Sequence, residues 1–455
     1  MAGSKNGGNK AAQDIEAQAV AAPDLTAAAV DDIPPALVAQ SLEQYFRAWI
    51  VRLRSGDVGV LPVVAALVLV TVVFQILTPH NVYLKPVNIV NLFGQSAVFI
   101  VLGVAEIFVL LLGEIDLSIG YVAAIGGIVA GLLVQPQESP SDLLHNWPWW
   151  GAIMAALLVC AAIGALQGLI ITRLRLPSFV VTLAGQMVWF GVMIMILGTA
   201  GQVGITGISD NEKMIYGIVW ASIEPLLSAI GLAAVLLVIG GYMWLRDSGR
   251  RRSGLVAPPV GLTLAKIGLM VVAGIVVWAI CSVNRSTGTK EITGMPWDVP
   301  VVMALVGGAT LLLERTQFGR HVYAVGGNPE AARRAGVGVT SIRLWAFILA
   351  STIAGLAGII YCSQLGGVTT NINGGQYVLF AVAAAVIGGT SLMGGRGRAI
   401  HGLLGGITIG AIYNGLYLLS MPPQYQYIAT GLVLLGAVTV DALSRRSASP
   451  TGTRA

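Results

Sequence analysis

Three carboxylates lie inside or directly after one apolar stretch of the sequence. Glu106 stands within the apolar run 87–112, and Glu114 and Asp116 follow that run without a basic neighbour. Ionisable groups among the apolar residues of a membrane segment are costly and are usually functional. Such carboxylates can line or gate a solute pathway or carry a coupling proton. The structural alternative is that Glu114 and Asp116 cap the next helix and face water at the cytosolic end.

Uncharged polar side chains within apolar segments are candidates for transient hydrogen bonds to a solute, although singly each is more often an interhelical contact. The wider set includes Asn373, Gln376 and Tyr417. The residues predicted to form the pathway and its gate are Asn91, Gln95, Glu114, Asp116, Ser118, Gln186, Thr390, Ser391 and Asn414.

A second candidate is the long polar connection 319–339. Asn328 is a favoured N-cap, and Pro329 suits the first helical position. Glu330 complements the positive end of a helix, and Gly336 supplies a left-handed stop. The pattern predicts a two-turn helix outside the membrane, flanked by flexible glycines. The length and capping of this connection favour a docking element over a helix that only covers the surface.

The elements that position these groups belong to a membrane protein. The chain of 455 residues is 56% hydrophobic and 10% charged, whereas soluble domains carry about a quarter charged residues. Twelve apolar segments are each compatible with a membrane helix. We predict an all-α polytopic membrane protein with about twelve (ten to twelve) transmembrane helices, at roughly 60–77, 87–112, 116–134, 149–171, 178–199, 222–245, 263–282, 298–313, 341–362, 376–393, 400–420 and 425–440.

The basic residues indicate the orientation. With the N-terminus in the cytosol, 22 of the 26 Lys and Arg residues fall in cytosolic segments. Because cytoplasmic loops carry the positive excess, both termini are predicted to be cytosolic. The net charge of +5 then reflects topology, and no nucleic-acid partner is needed to explain it. Residues 1–56 are predicted to be a largely disordered cytosolic tail, 57–442 the membrane domain, and 443–455 a second cytosolic tail.

Two glycine-rich breaks interrupt the apolar pattern, at 113–118 and 388–395. A helix with small residues at every fourth position follows each break, which places those residues on one stripe suited to close helix contact. The stripes are Ala123, Gly127 and Gly131 after the first break, and Gly402, Gly406 and Gly410 after the second. This match is consistent with an internal duplication.

At the connection 319–339 the sequence resembles the permease subunits of bacterial ATP-binding cassette (ABC) importers of the ribose and xylose class. Glu330-Ala331-Ala332 followed by Gly336 resembles the loop with which such permeases engage their ATPase. The loop departs from the wider family pattern, because Ile342-Arg343-Leu344 follows early and without a proline. Further blocks that resemble the sugar class are 114–120, 177–185, 388–395 and Asn414-Gly415-Leu416.

The resemblance implies ATP hydrolysis on a separate ATPase subunit, an extracytoplasmic sugar-binding protein, a permease homodimer and a location in the bacterial cytoplasmic (inner) membrane. An extra hairpin at 222–290 resembles the xylose-type members, which favours a pentose such as xylose. The ATPase-coupling residues that the resemblance implies are Gly319, Arg320, Gly326, Gly327, Asn328, Glu330, Ala331, Ala332, Arg333 and Gly336.

Two other functions compete with this interpretation. A proton-coupled secondary transporter of a small polar solute would use Glu106, Glu114 or Asp116, but it leaves the capped cytosolic helix without a purpose. An integral membrane enzyme lacks a catalytic constellation in this sequence. The chain has no Gly-Lys dipeptide and hence no Walker A loop, so it is not predicted to be the ATPase. We therefore predict no catalytic, cofactor-binding or metal-binding residues.

Overall fold

The structure is a computed structural model, and it describes most of the predicted membrane domain. The tail 1–56 apart from Arg47, the tail 443–455 and part of the predicted segment 425–440 lie outside the described residues. The described residues are Arg47, 61–137, 144–205, 207, 209–255, 257–286, 288–289 and 291–422, with scattered positions from 424 to 439.

The described part of the chain is built from α-helices and two short antiparallel sheets. A 3-10 turn at Pro79–Leu84 joins the first two helices. The helices are α1 Leu61–Leu77, α2 Pro86–Leu110, α3 Ile119–Val134, α4 Trp149–Leu174, α5 Ser178–Leu197, α6 Asp210–Trp220, α7 Pro225–Arg252, α8 Val260–Ser282, α9 Asp298–Arg315, α10 Gln317–Gly327, α11 Pro329–Arg334, α12 Val339–Leu365, α13 Gly374–Ile387 and α14 Ala399–Leu418. The strands are β1 Gln202–Gly204, β2 Ser222–Ile223, β3 Met295–Pro296 and β4 Gly367–Thr369; β1 pairs with β4 and β2 with β3.

The first eleven predicted apolar segments each coincide with one helix, and α6, α10 and α11 lie between them. Local capping explains where α6 begins, because Ser209 and Glu212 form a reciprocal capping box. Helix α10 follows α9 after a bend of 72°. The hydroxyl of Thr316 accepts a hydrogen bond from the Gly319 amide at this bend, so it caps α10.

Within the described residues, seven helices are long and apolar enough to cross a membrane, or eight if α9 and α10 form one bent span. The class predicted from the sequence, an all-α polytopic membrane protein, is therefore confirmed. Helices α3 and α13 are apolar but have only 16 and 14 residues. At 1.5 Å per residue they are about 24 and 21 Å long, which is less than the hydrocarbon thickness of about 30 Å. Helix length alone therefore does not make either of them a complete crossing.

Within the described residues, the chain divides into two compact units, one that contains 61–232 and 275–422 and one that contains 233–274. Helix α2 lies at the centre of the larger unit, where α12, α13, α14 and α9 pack around it. Its side chains from Ala97 to Leu110 are buried on all sides. In the smaller unit, the C-terminal part of α7 and the N-terminal part of α8 form a helical hairpin.

The predicted stripes of small residues are confirmed as helix contacts. Gly402 and Gly406 of α14 lie against α2, and Gly127 of α3 lies against Gly358 of α12. A Cβ atom built on Gly358 would overlap the carbonyl oxygen of Ala123. The two helices therefore meet backbone to backbone, which is the close approach that small residues permit in membranes.

Substitution of Gly358 by Ala tests this contact. The added methyl group has no space, and overpacking typically costs about 1–3 kcal/mol, so we expect a lower thermal unfolding temperature in detergent. Gly308→Ala is the matched control, since no atom lies within 4 Å of a Cβ built there. The control should be unchanged or slightly stabilised, because Ala favours a helix over Gly by about 1 kcal/mol. Equal unfolding temperatures for the two variants would contradict the backbone contact.

Candidate functional site

The connection 319–339 folds as its capping residues predict. Asn328 Oδ1 accepts hydrogen bonds from the amides of Glu330 (3.1 Å) and Ala331 (3.0 Å), and Gly336 has a φ of +83°. Helix α11 has six residues, somewhat fewer than two turns. Its outer surface carries charged side chains: Glu330 and Arg333 are both exposed and form an ion pair at 3.0 Å. The predicted cap and left-handed stop are confirmed.

The prediction that flexible glycines flank this helix is wrong for two of them. Gly319 and Gly326 both lie inside helix α10. A Cβ on Gly319 would overlap the carbonyl oxygen of Leu313, and a Cβ on Gly326 would overlap that of Leu111. Gly327, by contrast, has no atom within 4 Å of a Cβ position. Close packing, and not flexibility, explains the glycine at 319 and at 326.

Gly326 lies where the two glycine-rich breaks meet. The Gly395 amide donates a hydrogen bond to the carbonyl oxygen of Leu111 at 2.9 Å. A Cβ on Gly394 would lie 2.8 Å from the nitrogen of Gly113 and 2.9 Å from the oxygen of Gly326. Gly113, Gly394 and Gly395 all have positive φ angles, of +73°, +81° and +72°. These five residues, which we call the glycine junction, bring both breaks and α10 together through their backbones.

Side chains reinforce the same arrangement. The Tyr323 hydroxyl on α10 donates to the carbonyl oxygen of Gly397, just after the second break, at 2.7 Å. Arg398 forms an ion pair with Glu314 of α9 at 2.9 Å. Residues directly after the second break are thus bonded to α9 before the bend, through Glu314, and to α10 after it, through Tyr323.

The first break is attached to the opposite end of the same segment. Glu114 pairs with Arg343 near the start of α12 at 3.1 Å, and the Glu114 side chain is only 12% exposed. Helix α12 begins at Val339, five residues after α11 ends. The segment that contains α11 is therefore linked to the region of the first break in two ways: by the ion pair between Arg343 and Glu114, and by the backbone contact between Gly326 and Leu111.

Asp116 is fully buried, so the interpretation that it faces water as a helix cap is wrong. Its Oδ1 accepts hydrogen bonds from the amide (2.9 Å) and hydroxyl (2.6 Å) of Ser118. Glu106 Oε1 accepts from the Asp116 amide at 3.2 Å, and Gln167 Nε2 donates to the Ser118 hydroxyl at 2.8 Å. This network joins the break to Glu106 of α2 and to Gln167 of α4. Sequence reasoning missed Gln167, whose only signal is a lone amide inside an apolar segment.

The carboxylates of this network also have unused acceptors. Glu106 Oε2 and Asp116 Oδ2 are buried without a hydrogen-bond partner among the described residues. A buried acceptor without a partner is unfavourable and indicates a site where protonation or a transient ligand can act.

Other predicted pathway residues form separate groups. Asn414 is buried, and its Nδ2 donates to Asn88 Oδ1 and to Gln95 Oε1, both at 3.1 Å. This amide cluster joins α14 to α2. Tyr83 in the preceding 3-10 turn donates to the carbonyl oxygen of Ala411 at 3.0 Å, and burial raises the pKa of Tyr83 to about 12. Gln95 and Asn414 therefore come together as an interhelical contact.

The remaining members lie elsewhere. Asn91 is exposed, and Gln186 of α5 lies beside Gly375. In the second break, Thr390 Oγ1 lies 3.2 Å from His401 Nδ1, and the Ser391 hydroxyl accepts from the Met393 amide at 3.0 Å. The structure brings Glu114, Asp116, Ser118, Thr390 and Ser391 to the two breaks, and it leaves Asn91 and Gln186 apart from them. The described residues contain no group of three or more His, Cys, Asp or Glu side chains that could hold a metal ion.

These features define a multi-pass membrane protein with a short capped helix, α11, and two non-helical breaks in its apolar segments. The family described as "branched-chain amino acid transport system / permease component" matches residues 88–438. The chain belongs to this permease family.

Its relatives include sugar permeases. The xylose transport system permease protein XylH of Escherichia coli (strain K12) is 32% identical over 394 residues, covering 87% of this chain and 94% of that protein. XylH of Haemophilus influenzae is 30% identical, covering 87% and 99%. The ribose import permease protein RbsC of E. coli (strain K12) is 29% identical, covering 88% and 96%. The resemblance to the ribose and xylose class is confirmed. No solved structure was found to match the chain.

Replacement of Asp116 by Asn separates gating from structure. Asn retains an oxygen that accepts from Ser118, so the break should stay folded and membrane abundance should remain near wild type. We expect solute uptake to fall by roughly tenfold, equivalent to about 1.4 kcal/mol. Quantitative immunoblotting and uptake in the same cells measure both quantities. If abundance and uptake fall by the same factor, Asp116 has a structural role only.

Proposed function

We propose that this chain is the membrane permease subunit of an ABC importer that carries a monosaccharide across the bacterial cytoplasmic membrane. Hydrolysis of ATP takes place on a separate ATPase subunit, and an extracytoplasmic binding protein delivers the sugar. The observation that carries the proposal is the glycine junction, where the backbone of α10 contacts Leu111, just before the first break, and Gly394 and Gly395 of the second break. A pentose such as xylose is favoured, since relatives named for xylose and ribose match most of the chain.

The first step of the mechanism is docking of the ATPase on α11. Glu330, Arg333 and Arg334 are exposed, and they present one negative and two positive charges. Ala332 faces inward and is buried, whereas Ala331 faces outward. A small outward side chain permits close approach of a partner, and the charges fix its orientation.

The second step is transmission to the membrane. Packed backbones cannot be compressed, so a displacement of α10 and α11 must move the residues that Gly326 contacts. Those residues are Leu111, two residues before the first break, and Gly394 and Gly395 of the second break. In a homodimer of permeases, closure of the ATPase pair would thus reorient both breaks and open the pathway alternately to each side. The permease performs no covalent chemistry, and its own sugar site is weak because a pathway must release what it receives.

The proposed topology has about twelve spans, with both termini in the cytosol and an inserted hairpin at 222–290. Its loops can be tested by cysteine labelling, because Cys160, Cys281 and Cys362 are all buried. We expect Arg252→Cys and Glu330→Cys to react with a membrane-impermeant maleimide only from the cytosol. Thr289→Cys should react only from outside. Labelling of Arg252→Cys from outside would contradict the assignment of the hairpin.

Coupling through the glycine junction is tested by two neighbouring glycines. Gly326→Ala places a methyl group against Leu111, whereas Gly327→Ala places one in open space. We expect Gly326→Ala to impair sugar-stimulated ATP hydrolysis by the assembled complex, and Gly327→Ala to leave it near wild type. Copurification of the ATPase should persist in both, because the surface of α11 is unchanged.

Loss of docking itself is tested by Glu330→Ala. The carboxylate stabilises the helix end by about 0.3–1 kcal/mol, so folding should change little. ATPase copurification and sugar-stimulated hydrolysis should both decrease. Wild-type values for Glu330→Ala and Gly326→Ala together would remove this segment as the coupling element.

A proton-coupled transporter is the second candidate, and the unpartnered oxygens of Glu106 and Asp116 favour it. Uptake by proteoliposomes that contain the permease, its ATPase and its binding protein decides between the two. An ABC importer requires internal ATP and resists a protonophore, whereas a secondary transporter shows the opposite behaviour. A panel of pentoses and hexoses in the same assay identifies the sugar.

A further inference from the structure

The hairpin of the smaller unit ends in a tip with an uneven charge distribution. Residues 233–274 contain five basic side chains and one acidic side chain, Asp247. The basic residues are Arg246, Arg250, Arg251, Arg252 and Lys266. Which of these six groups are buried or paired, and which are exposed, determines the charge of the outer surface of the tip.

The single carboxylate is directed inward and is fully engaged. Asp247 is buried, and its Oδ2 accepts a hydrogen bond from the Thr263 hydroxyl of α8 at 3.0 Å. Its Oδ1 pairs with Arg246 at 2.8 Å. Asp247 therefore joins the two helices of the hairpin and adds no negative charge to the outer surface.

One arginine is also part of the internal structure of the tip. Arg251 Nη1 donates to the carbonyl oxygen of Pro258 at 2.7 Å, and its guanidinium lies 5.7 Å from the ring centre of Trp244. These contacts hold the turn between α7 and α8 in place. Arg250, Arg252 and Lys266 remain exposed, and no ion pair is found for them among the described residues. The outer surface of the tip is thus purely cationic.

The position of this surface along the helices corresponds to the lipid headgroups. Helix α7 has 28 residues and is about 42 Å long, close to the 40–45 Å of a whole bilayer including its headgroups. Its last turn, which contains Arg250 and Arg252, therefore reaches the headgroup layer. Tyr242 and Trp244 precede this turn and are exposed, as expected for aromatic residues at the membrane interface.

The sides of the hairpin contact hydrocarbon. Leu237, Leu245 and Leu269 are 75%, 71% and 73% exposed. Lys266 is the seventh residue of α8, about 9 Å from its start, and a long lysine side chain at that depth extends toward the interface. Apolar sides and a cationic tip together complement an acidic phospholipid, which has acyl chains below an anionic headgroup.

We propose that Arg250, Arg252 and Lys266 form a binding surface for acidic phospholipid headgroups. The positive-inside rule accounts for basic residues at this end of a hairpin, but it requires no particular folded arrangement. Here the only acid of 233–274 is withdrawn into the hairpin and one arginine contacts its turn, so Arg250, Arg252 and Lys266 are left exposed around the tip. Clusters of Lys and Arg next to a membrane helix attract anionic lipids, with about 1 kcal/mol per residue, or roughly fivefold in affinity.

The test uses the full-length permease alone, in a neutral detergent, without ATPase or sugar. Native mass spectrometry measures the binding of phosphatidylglycerol and of phosphatidylcholine with the same acyl chains. The wild type should bind phosphatidylglycerol more tightly. In Arg250→Gln/Arg252→Gln/Lys266→Gln, phosphatidylglycerol binding should weaken by roughly a hundredfold and phosphatidylcholine binding should change little.

The matched control removes the same charge elsewhere. Arg173→Gln/Arg175→Gln/Arg396→Gln neutralises three exposed basic residues outside the hairpin. Its phosphatidylglycerol binding should remain within about threefold of wild type. Equal losses in the two triple variants, or no lipid preference in the wild type, would overturn the proposal. If the triple variant in the hairpin does not fold, Arg252→Gln alone should show a loss of about fivefold. The assay needs no transport, so its outcome is independent of the proposed function.

Discussion

Backbone amides and carbonyls at membrane depth must find partners within the protein, since hydrocarbon offers none. Helices α3 and α13 are apolar but have only 16 and 14 residues, and a non-helical break precedes α3 and another follows α13. The regions around the two breaks contact each other through their backbones. A hydrogen bond from the Gly395 amide to the carbonyl oxygen of Leu111 joins the second break to the end of α2, just before the first break.

Glycine is the residue that makes the pairing possible. Gly113, Gly394 and Gly395 adopt left-handed conformations that other residues adopt at a cost, and Gly326 approaches too closely for any side chain. The consequence is mechanical. Helix α10, which directly precedes α11, contacts Leu111 and Gly394 through main-chain atoms that have little freedom to adjust. A connection through long side chains would absorb part of any displacement.

Buried carboxylates in this chain serve first to define local structure. Asp116 orders the first break through Ser118, and Asp247 joins α7 to α8 through Thr263. Both carboxylates occupy positions where an unpaired charge would be costly, and both accept hydrogen bonds from nearby donors. They differ in whether both carboxylate oxygens have a partner. Asp116 retains an unpartnered oxygen next to Glu106, whereas Asp247 uses both oxygens and leaves the outer surface of its hairpin cationic.

The sequence by itself determined the helices and their caps, because both depend on interactions within a few residues. Continuous apolar runs located eleven helices, and Asn328 and Gly336 specified the two ends of α11. Only the tertiary structure decided how the breaks meet. Gly326 and Gly327 are adjacent glycines that the sequence does not distinguish, yet Gly326 is closely packed and Gly327 is open. The difference arises because Gly326 contacts Leu111, more than two hundred residues away in the chain. Likewise, the amide cluster of Asn88, Gln95 and Asn414 forms because α2 and α14 pack together. Long-range contacts of this kind leave no local signal, and for that reason Gly326 was predicted to be flexible although it is closely packed against Leu111.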